Sequence, residues 1–202
     1  MVGAGGHAKV CIELLQAMGE SVAYCVGDSE SPEACLDIPV LRGDENLNDL
    51  RSKGYDKAFV AVGANHIRAR LGTLCQEMGY QLVNAISPKA VISPSASLGH
   101  GIAVMAGVVI NADSTIQNLV IVNTSASIDH DCLIGHGSHI APQCALAGNV
   151  SVGSLSFLGI GCKVIPGVTL GDRVTVGAGG VVIRSFPSDV TVVGVPASIV
   201  AV

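Results

Sequence analysis

Residues 123–158 read NTSASIDHDCLIGHGSHIAPQCALAGNVSVGSLSFL, and from Ile128 every sixth position is aliphatic: Ile128, Ile134, Ile140, Leu146, Val152, Leu158. The series continues backward through Val122, Ile116, Ile110, Val104 and Leu98 to Ile92, and forward through Val164, Leu170 and Val176 to Val182. It comprises sixteen consecutive aliphatic positions without a break. Two residues before most of them stands a small residue, as at Ala90, Ala96, Ser114, Ala126, Cys132, Ser138, Cys144, Ser156 and Cys162. Glycine often follows, as at Gly99, Gly135, Gly153, Gly159, Gly171 and Gly177. A six-residue unit with one inward aliphatic residue and one corner forms a flat side of a triangular coil. Three such sides close a coil of 18 residues, and successive coils stack at about the 4.8 Å of neighbouring strands. The repeat therefore predicts a parallel β-solenoid of slightly more than five coils, with residues 18 apart lying directly above one another.

A narrow aliphatic bore also accounts for the composition. The 202 residues are 49% hydrophobic yet only 3% aromatic, with 25 Gly and no Trp. Rings are expected outside the bore, as at Phe157 next to the inward Leu158. Only 13% of residues are charged and the net charge is −5, which argues against nucleic acid or an anionic membrane as the main partner. The apolar runs are too short to span a bilayer, and no charged segment followed by an apolar one opens the chain. Seven Cys without a CxxC pair read as small buried residues, so a reducing cytoplasmic location is expected.

Ahead of the repeat, residues 1–86 alternate between strand and helix patterns. Met1-Val2 reads as the stub of a first strand, followed by a Gly3-Ala4-Gly5-Gly6 turn and a helix to Met18 whose apolar face carries Val10, Cys11, Leu14 and Leu15. Ser21–Val26, Ala58–Val62 and Tyr80–Asn84 read as strands, and Glu45–Lys53 and Asn65–Met78 as helices. This alternation implies a small parallel sheet with helices on its faces. Gly3-x-Gly5-x-x-Ala8 matches a dinucleotide fingerprint, with Asp28 twenty residues after Ala8. However, 86 residues suffice for one mononucleotide half only, so the transferable physics is phosphate approach to N–H groups at a helix start. Gly63-Ala64-Asn65 is a second strand-to-helix turn at the same end of the sheet, and Arg68 is placed to pair with phosphate.

The order GAGGHAKV (3–10), VAVGANHIR (60–68), INADS (110–114), NTSASIDHDCLIG (123–135), LAGNVSVG (146–153), FLGIG (157–161), VIPGVTLG (164–171), VGAGGVV (176–182) and VGVPAS (193–198) resembles the bacterial sialic acid O-acetyltransferase-like family. That family includes acetyl-CoA-dependent N-acetyltransferases of nucleotide-linked 4-amino sugars, the bacillosamine and perosamine types. The resemblance implies a Rossmann-like nucleotide-sugar-binding domain over 1–86 and a left-handed parallel β-helix acetyltransferase domain over 87–183. It also implies a 184–202 tail bordering the coenzyme A site, a homotrimer with active sites between subunits, and a role in cell-surface polysaccharide biosynthesis. The nucleotide (UDP, GDP or dTDP) is open, and so is N- against O-acetylation, with sialic acid O-acetylation as the alternative. No metal is expected.

Acetyl transfer to an amine needs a base and a donor for the developing oxyanion. Asp129-His130-Asp131 offers an imidazole beside carboxylates just after the inward Ile128. One coil on, His130 lies under Gly148, which leaves room for a thioester and presents an N–H. The expected catalytic set is His130 as base, Asp131 or Asp129 orienting it, and Gly148 holding the oxyanion. By resemblance, Gly5, Gly6 and His7 border the diphosphate and the Asp28 region borders the ribose or base, while Gly63, Asn65 and Arg68 complete the substrate side. His139 lies half a coil from His130 and is expected to meet it across a trimer interface, near the acetyl group. Gly161 and Gly179, one coil apart, leave a channel for the pantetheine arm of acetyl-CoA, and Pro196 borders its adenosine end. Two rival readings are a zinc site of the carbonic-anhydrase kind from His130, His136 and His139, and a non-enzymatic scaffold. The histidine spacings put these side chains on different sides, and the regular outward Thr rows of an ice-binding array are absent.

Overall fold

The computed structural model describes residues 1–200; positions 201 and 202 of the expected tail lie outside the described residues. The first part contains three helices, α1 (Gly6–Ala17), α2 (Asn46–Ser52) and α3 (Asn65–Glu77). Its short strands are β1 (Cys25–Gly27), β2 (Ala34–Cys35), β3 (Ile38–Arg42), β4 (Lys57–Ala58) and β5 (Gln81–Leu82). Val2 bridges Val26 on one side and Val60 on the other, both in parallel. With β3 parallel to β1 and β5 parallel to β4, the sheet runs β3–β1–Val2–β4–β5. Met1 and Val2 are thus central to the sheet: Val2 N–H donates to Phe59 O at 2.8 Å and Val2 O accepts from Ala61 N–H at 2.7 Å.

The β2–β3 hairpin is absent from the strands and helices that the sequence pattern predicts. Its turn is Leu36-Asp37, with φ of +47° and +63°. Two positive φ values make the tight turn that joins antiparallel strands, normally signalled by Asn-Gly or Asp-Gly. Leu36 gives no such signal, so the hairpin was not legible.

The solenoid has three faces. Face A stacks six strands from Val91–Ile92 to Val181–Val182, and face B stacks five from Ser97–Leu98 to Thr169–Leu170. Face C begins at Ala85–Ile86, pairs through Ala103–Val104 up to Thr175–Val176, and ends in Thr191–Gly194 with Ala197–Val200 folded back antiparallel. Within the repeat every strand pairs in parallel with the one 18 residues on, as Ile128 with Leu146 and Ile140 with Leu158. From Val104 onward all the inward aliphatic residues are buried, whereas Ile92 and Leu98 in the open first coil are partly exposed.

Two boundaries shift. Ile86 is one step before Ile92 and pairs Val104, so the ladder starts one unit earlier than residue 87. At the other end Phe186 bridges Leu170 and is buried, and Val192 stands over Val176. The tail therefore continues the coil out of phase with the six-residue step. The expectation that no ring enters the bore fails at Phe186, because the last coil has no layer above it and a ring closes the end. Phe157 lies outside as expected, and all seven Cys are buried and unpaired.

The two domains meet along the corner between faces B and C. Leu119 sits there at φ +60° and packs into the core of the first domain with Leu71, Cys75 and Leu82. A Cβ on Gly72 of α3 would lie 2.4 Å from Leu119 Cδ1, so glycine is what lets the helix approach. Replacing the bore residue Ile134 by Ala removes buried methyl groups from a site with no room to collapse. The expected loss is about 2–5 kcal/mol of stability, read from the shift in chemical denaturation midpoint.

Candidate active site

Two constellations emerge, on different sides of the chain. The first is at the corner after face A. Asp113, Asp131, Asn149 and Gly167 occupy one column of this corner, all left-handed, with φ of +59°, +57°, +60° and +72°. Short polar side chains and glycine tolerate that conformation best. At Asp131 the turn brings the carboxylate onto the preceding imidazole: His130 Nδ1 lies 2.8 Å from Asp131 Oδ2. Asp129 plays another part, accepting from the His130 N–H at 2.8 Å and from Asn111 Nδ2 at 2.9 Å. The sequence left Asp129 and Asp131 as alternatives; the geometry gives the imidazole to Asp131 and the backbone to Asp129.

The hydrogen bond to Asp131 raises the His130 pKa above its ordinary 6.5, with the nearby carboxylate charges adding to it. Asp129 is lowered, first by the Asn111 hydrogen bond and then by the His130 N–H. With Asp131 accepting from Nδ1–H, Nε2 is left as the free, basic nitrogen. Gly148 stands above this ring as the 18-residue step predicts. A Cβ there would lie 2.5 Å from both Cε1 and Nε2 of His130. Among the described residues no backbone carbonyl accepts the Gly148 N–H.

The second constellation lines the carboxyl ends of the parallel strands, where the crevice of an open α/β sheet forms. Gly5 caps α1 and Ala64 caps α3, neither with a side-chain hydrogen bond and neither helix with an acidic first turn. Built Cβ atoms on Gly5, Gly6 and Gly63 meet nothing within 4 Å, so both helix starts present open backbone. Such paired helix N-termini suit an anion. Asp28 is at the same end, where its Oδ1 accepts from Glu30 N–H and Ser31 Oγ.

His139 faces this crevice from face C, on the far side from His130. Asn123 Nδ2 is 3.1 Å from its Nε2, and Phe157 packs edge-on at 5.3 Å. Its pKa is pulled down to about 4 by burial first and the Arg68 charge second, with a hydrogen bond to the Gly63 backbone opposing them. His7 is likewise lowered to about 4 by burial and Arg68, with Nε2 3.6 Å from Cys11 Sγ. Within one chain His139 therefore joins the glycine turns and not His130. Asn123 and Phe157 were missed, although the coil register placed Phe157 directly above His139.

Arg68 and Asn65 are corrections. Arg68 is 1% exposed. Its Nε donates to Leu119 O, its Nη1 to Val62 O and Gly63 O, and its Nη2 to Asn65 Oδ1 and Gly137 O, at 2.7–2.9 Å, with Ser138 O at 3.3 Å. All five N–H donors of the guanidinium are engaged, so none remains for a phosphate. Asn65 is similarly occupied, its Nδ2 donating to Leu155 O and Ser156 O at 3.0 Å. Both residues tie the domains together.

Toward the C-terminal end, Gly161 and Gly179 sit left-handed at the corner after face C, with open space where a Cβ would be. Pro196 is at the tip of the closing hairpin. His130, His136 and His139 lie apart, and among the described residues no three His, Cys, Asp or Glu side chains group as a metal site.

Residues 1–73 match the family model described as the PglD N-terminal domain. The chain is 53% identical to PerB from Caulobacter crescentus, solved in complex with CoA and GDP-perosamine, with a TM-score of 0.96 over 99% of this chain and 95% of that one. The perosamine N-acetyltransferase of that organism has also been solved with a histidine replaced by asparagine or alanine. The acetyltransferase domain of PglB from Neisseria gonorrhoeae, in complex with acetyl coenzyme A, is 38% identical with a TM-score of 0.92, over 98% of this chain and 97% of that one. Among curated proteins, a serine acetyltransferase of Buchnera aphidicola is 32% identical over 168 residues, 80% of this chain. The chain spans 58% of that relative's length.

The raised His130 pKa is checked by following its imidazole protons by NMR: the midpoint lies above 6.5 and falls in Asp131→Asn. An Asp129→Asn variant, which leaves the Nδ1 hydrogen bond in place, moves it less.

Proposed function

The chain belongs to the PglD-type nucleotide-sugar N-acetyltransferase family and is an acetyl-CoA-dependent sugar N-acetyltransferase, and we propose that its acceptor is the 4-amino group of a GDP-linked 4-amino-4,6-dideoxy sugar of the perosamine type. The observation that carries the mechanism is the stack of His130 under Gly148, with Asp131 on the other ring nitrogen. The amine nitrogen attacks the thioester carbonyl carbon, forming the N–C bond and a tetrahedral oxyanion. His130 Nε2 takes the proton that the amine loses. The Gly148 N–H donates to the oxyanion, and collapse breaks the C–S bond to release coenzyme A, whose thiolate takes up a proton. Asp131 keeps the Nδ1 proton in place and stabilises the imidazolium while it exists.

On the donor side, the open corners at Gly161 and Gly179 suit an extended pantetheine arm against the backbone, with Pro196 toward the adenosine end. On the acceptor side, Gly5, Gly6 and Gly63 suit the diphosphate, with His7 and Asp28 bordering the sugar nucleotide. The identity of 53% with the protein solved with GDP-perosamine supports guanine over uracil.

His130 and the acceptor crevice are on opposite sides of one chain, which supports a homotrimer in which a neighbouring subunit brings its crevice to this His130. The exposed apolar side chains Val91, Ile165 and Ile183 on and beside face A support a covered surface there. A reducing cytoplasmic location is supported by the seven unpaired buried thiols. No helix among the described residues is long and apolar enough to cross a membrane.

Product formation from acetyl-CoA with GDP-, UDP- and dTDP-linked 4-amino sugars tests the acceptor, with GDP-linked perosamine expected to give the highest kcat/KM. His130→Ala is expected to lose about 10²–10⁴-fold in kcat with both ligands still bound; turnover near wild type would sink the assignment. Gly148→Ala should fold normally yet lose turnover, because its methyl group falls on the imidazole. Since His130 must be neutral to accept a proton, activity falls as pH drops through its raised pKa. Asp131→Asn should move that acid limb to lower pH.

A further inference from the structure

Arg68 is a buried cation without a counter-ion: among the described residues no carboxylate oxygen lies within 4 Å of it. A buried charge is tolerated only where dipoles replace its water, and here backbone carbonyls do so. Those carbonyls have a pattern. Leu119 O and Gly137 O come from the same corner of successive coils, and Asn65, held by Arg68, extends the contact to Leu155 O in the next coil. Nη1 is turned the other way, holding Val62 O and Gly63 O. One guanidinium thus joins the turn that opens α3 to three coils of the solenoid. The middle of these coils carries His139.

The same charge is felt on every side of the crevice. His7 and Cys11 on α1, and His136 and His139 on the solenoid, all have the Arg68 charge among the causes of their shifted pKa values. These are the titratable groups that face it, and none is a carboxylate. Apart from Asp28 at its edge, the crevice is therefore lined by imidazoles and open helix N-termini, backed by one fixed positive charge.

We propose, resting on the acceptor reading above, that Arg68 is a positioning residue for the nucleotide-sugar side of the reaction: it fixes the Gly63 turn on the coil that carries His139 and holds a positive charge behind both. Affinity for the diphosphate then depends on a residue that makes no contact with it. Positioning and charge are separable by substitution. Arg68→Met removes both; Arg68→Lys keeps the charge but cannot reach the turn and the coils at once, because an ammonium is a point donor.

The experiment uses the full-length protein, with binding of GDP and of CoA measured by calorimetry and the His139 imidazole titration followed by NMR. In Arg68→Met, GDP affinity falls by on the order of tenfold while CoA affinity stays within about twofold, and His139 titrates at higher pH than in wild type. In Arg68→Lys, GDP binding is also weakened, but the His139 titration returns toward wild type. An unchanged ratio of GDP to CoA affinity in either variant, or a His139 titration that Arg68→Met does not move, overturns the proposal. Should Arg68→Met fail to fold, GDP affinity in Arg68→Lys decides positioning alone, and a wild-type value overturns it. Failure of wild-type protein to bind GDP, UDP or dTDP overturns the acceptor reading itself, a result distinct from any of these.

Discussion

Everything in the six-residue repeat depends on one constraint, that each strand hydrogen-bonds in parallel to the strand 18 residues on without a register change. Ser127 and Ala145, Leu133 and Ser151, and His139 and Phe157 are paired in this way around the three faces. A column of residues then shares one backbone conformation, and chemistry follows from which side chain a column receives at each level. The corner column of Asp113, Asp131, Asn149 and Gly167 is left-handed throughout, and the equivalent column after face B holds Leu119, Leu155 and Arg173 in the same conformation. At one level the corner after face A supplies the carboxylate that holds His130. One level up, the column of His130 itself receives Gly148, and the ring has room because of it. The catalytic geometry is thus a local use of a demand that the whole fold makes.

The first domain is fitted to this rod at the corner between faces B and C, and its α1 also packs on the first strand of face C. Leu119 enters its core, Gly72 makes space for it, and Arg68 and Asn65 read carbonyls of neighbouring coils. Carbonyls at a solenoid corner point outward because they are not all used in the ladder, and an uncovered corner leaves them to water. Covering them requires donors, and an arginine at the first turn of α3 brings five. The Gly63 turn is held on the solenoid by that one side chain.

Much of this was legible because the repeat is strict. The inward ladder, the three-sided coil and the meeting of His130 with Gly148 all follow from counting by six and eighteen. What was not legible lacked a period. The Leu36-Asp37 hairpin turn carries no glycine or asparagine signal, and Phe186 and Val192 continue the coil after the six-residue step is lost. Arg68 was misread for a different reason. A basic residue after a glycine turn is the usual sign of a phosphate ligand, and its direction depends on a tertiary contact with Leu119 and Gly137, which lie 51 and 69 residues away. Counting could not separate Asp129 from Asp131 either, since the choice is made by the left-handed φ of Asp131 and by Asn111 taking hold of Asp129.

The two histidines that matter are pushed in opposite directions, and the physical reasons separate their work. His130 is solvent-exposed and hydrogen-bonded to a carboxylate, so its proton affinity is raised while it can still exchange protons with water. His139 is half-buried against Phe157 and near an uncompensated guanidinium, and burial and that charge lower its pKa to about 4, which favours the neutral ring. A base must gain a proton and lose it in each turnover, which suits His130 and is closed to His139. A neutral imidazole fixed by Asn123 can instead hydrogen-bond to an acceptor without adding a charge that competes for the diphosphate. On the proposed function, protons move at the solvent-facing corner while anionic groups are held in the crevice. On the proposed function, this separation keeps the attacking amine, which must be uncharged, beside a carboxylate-supported base and away from the Arg68 charge that backs the crevice.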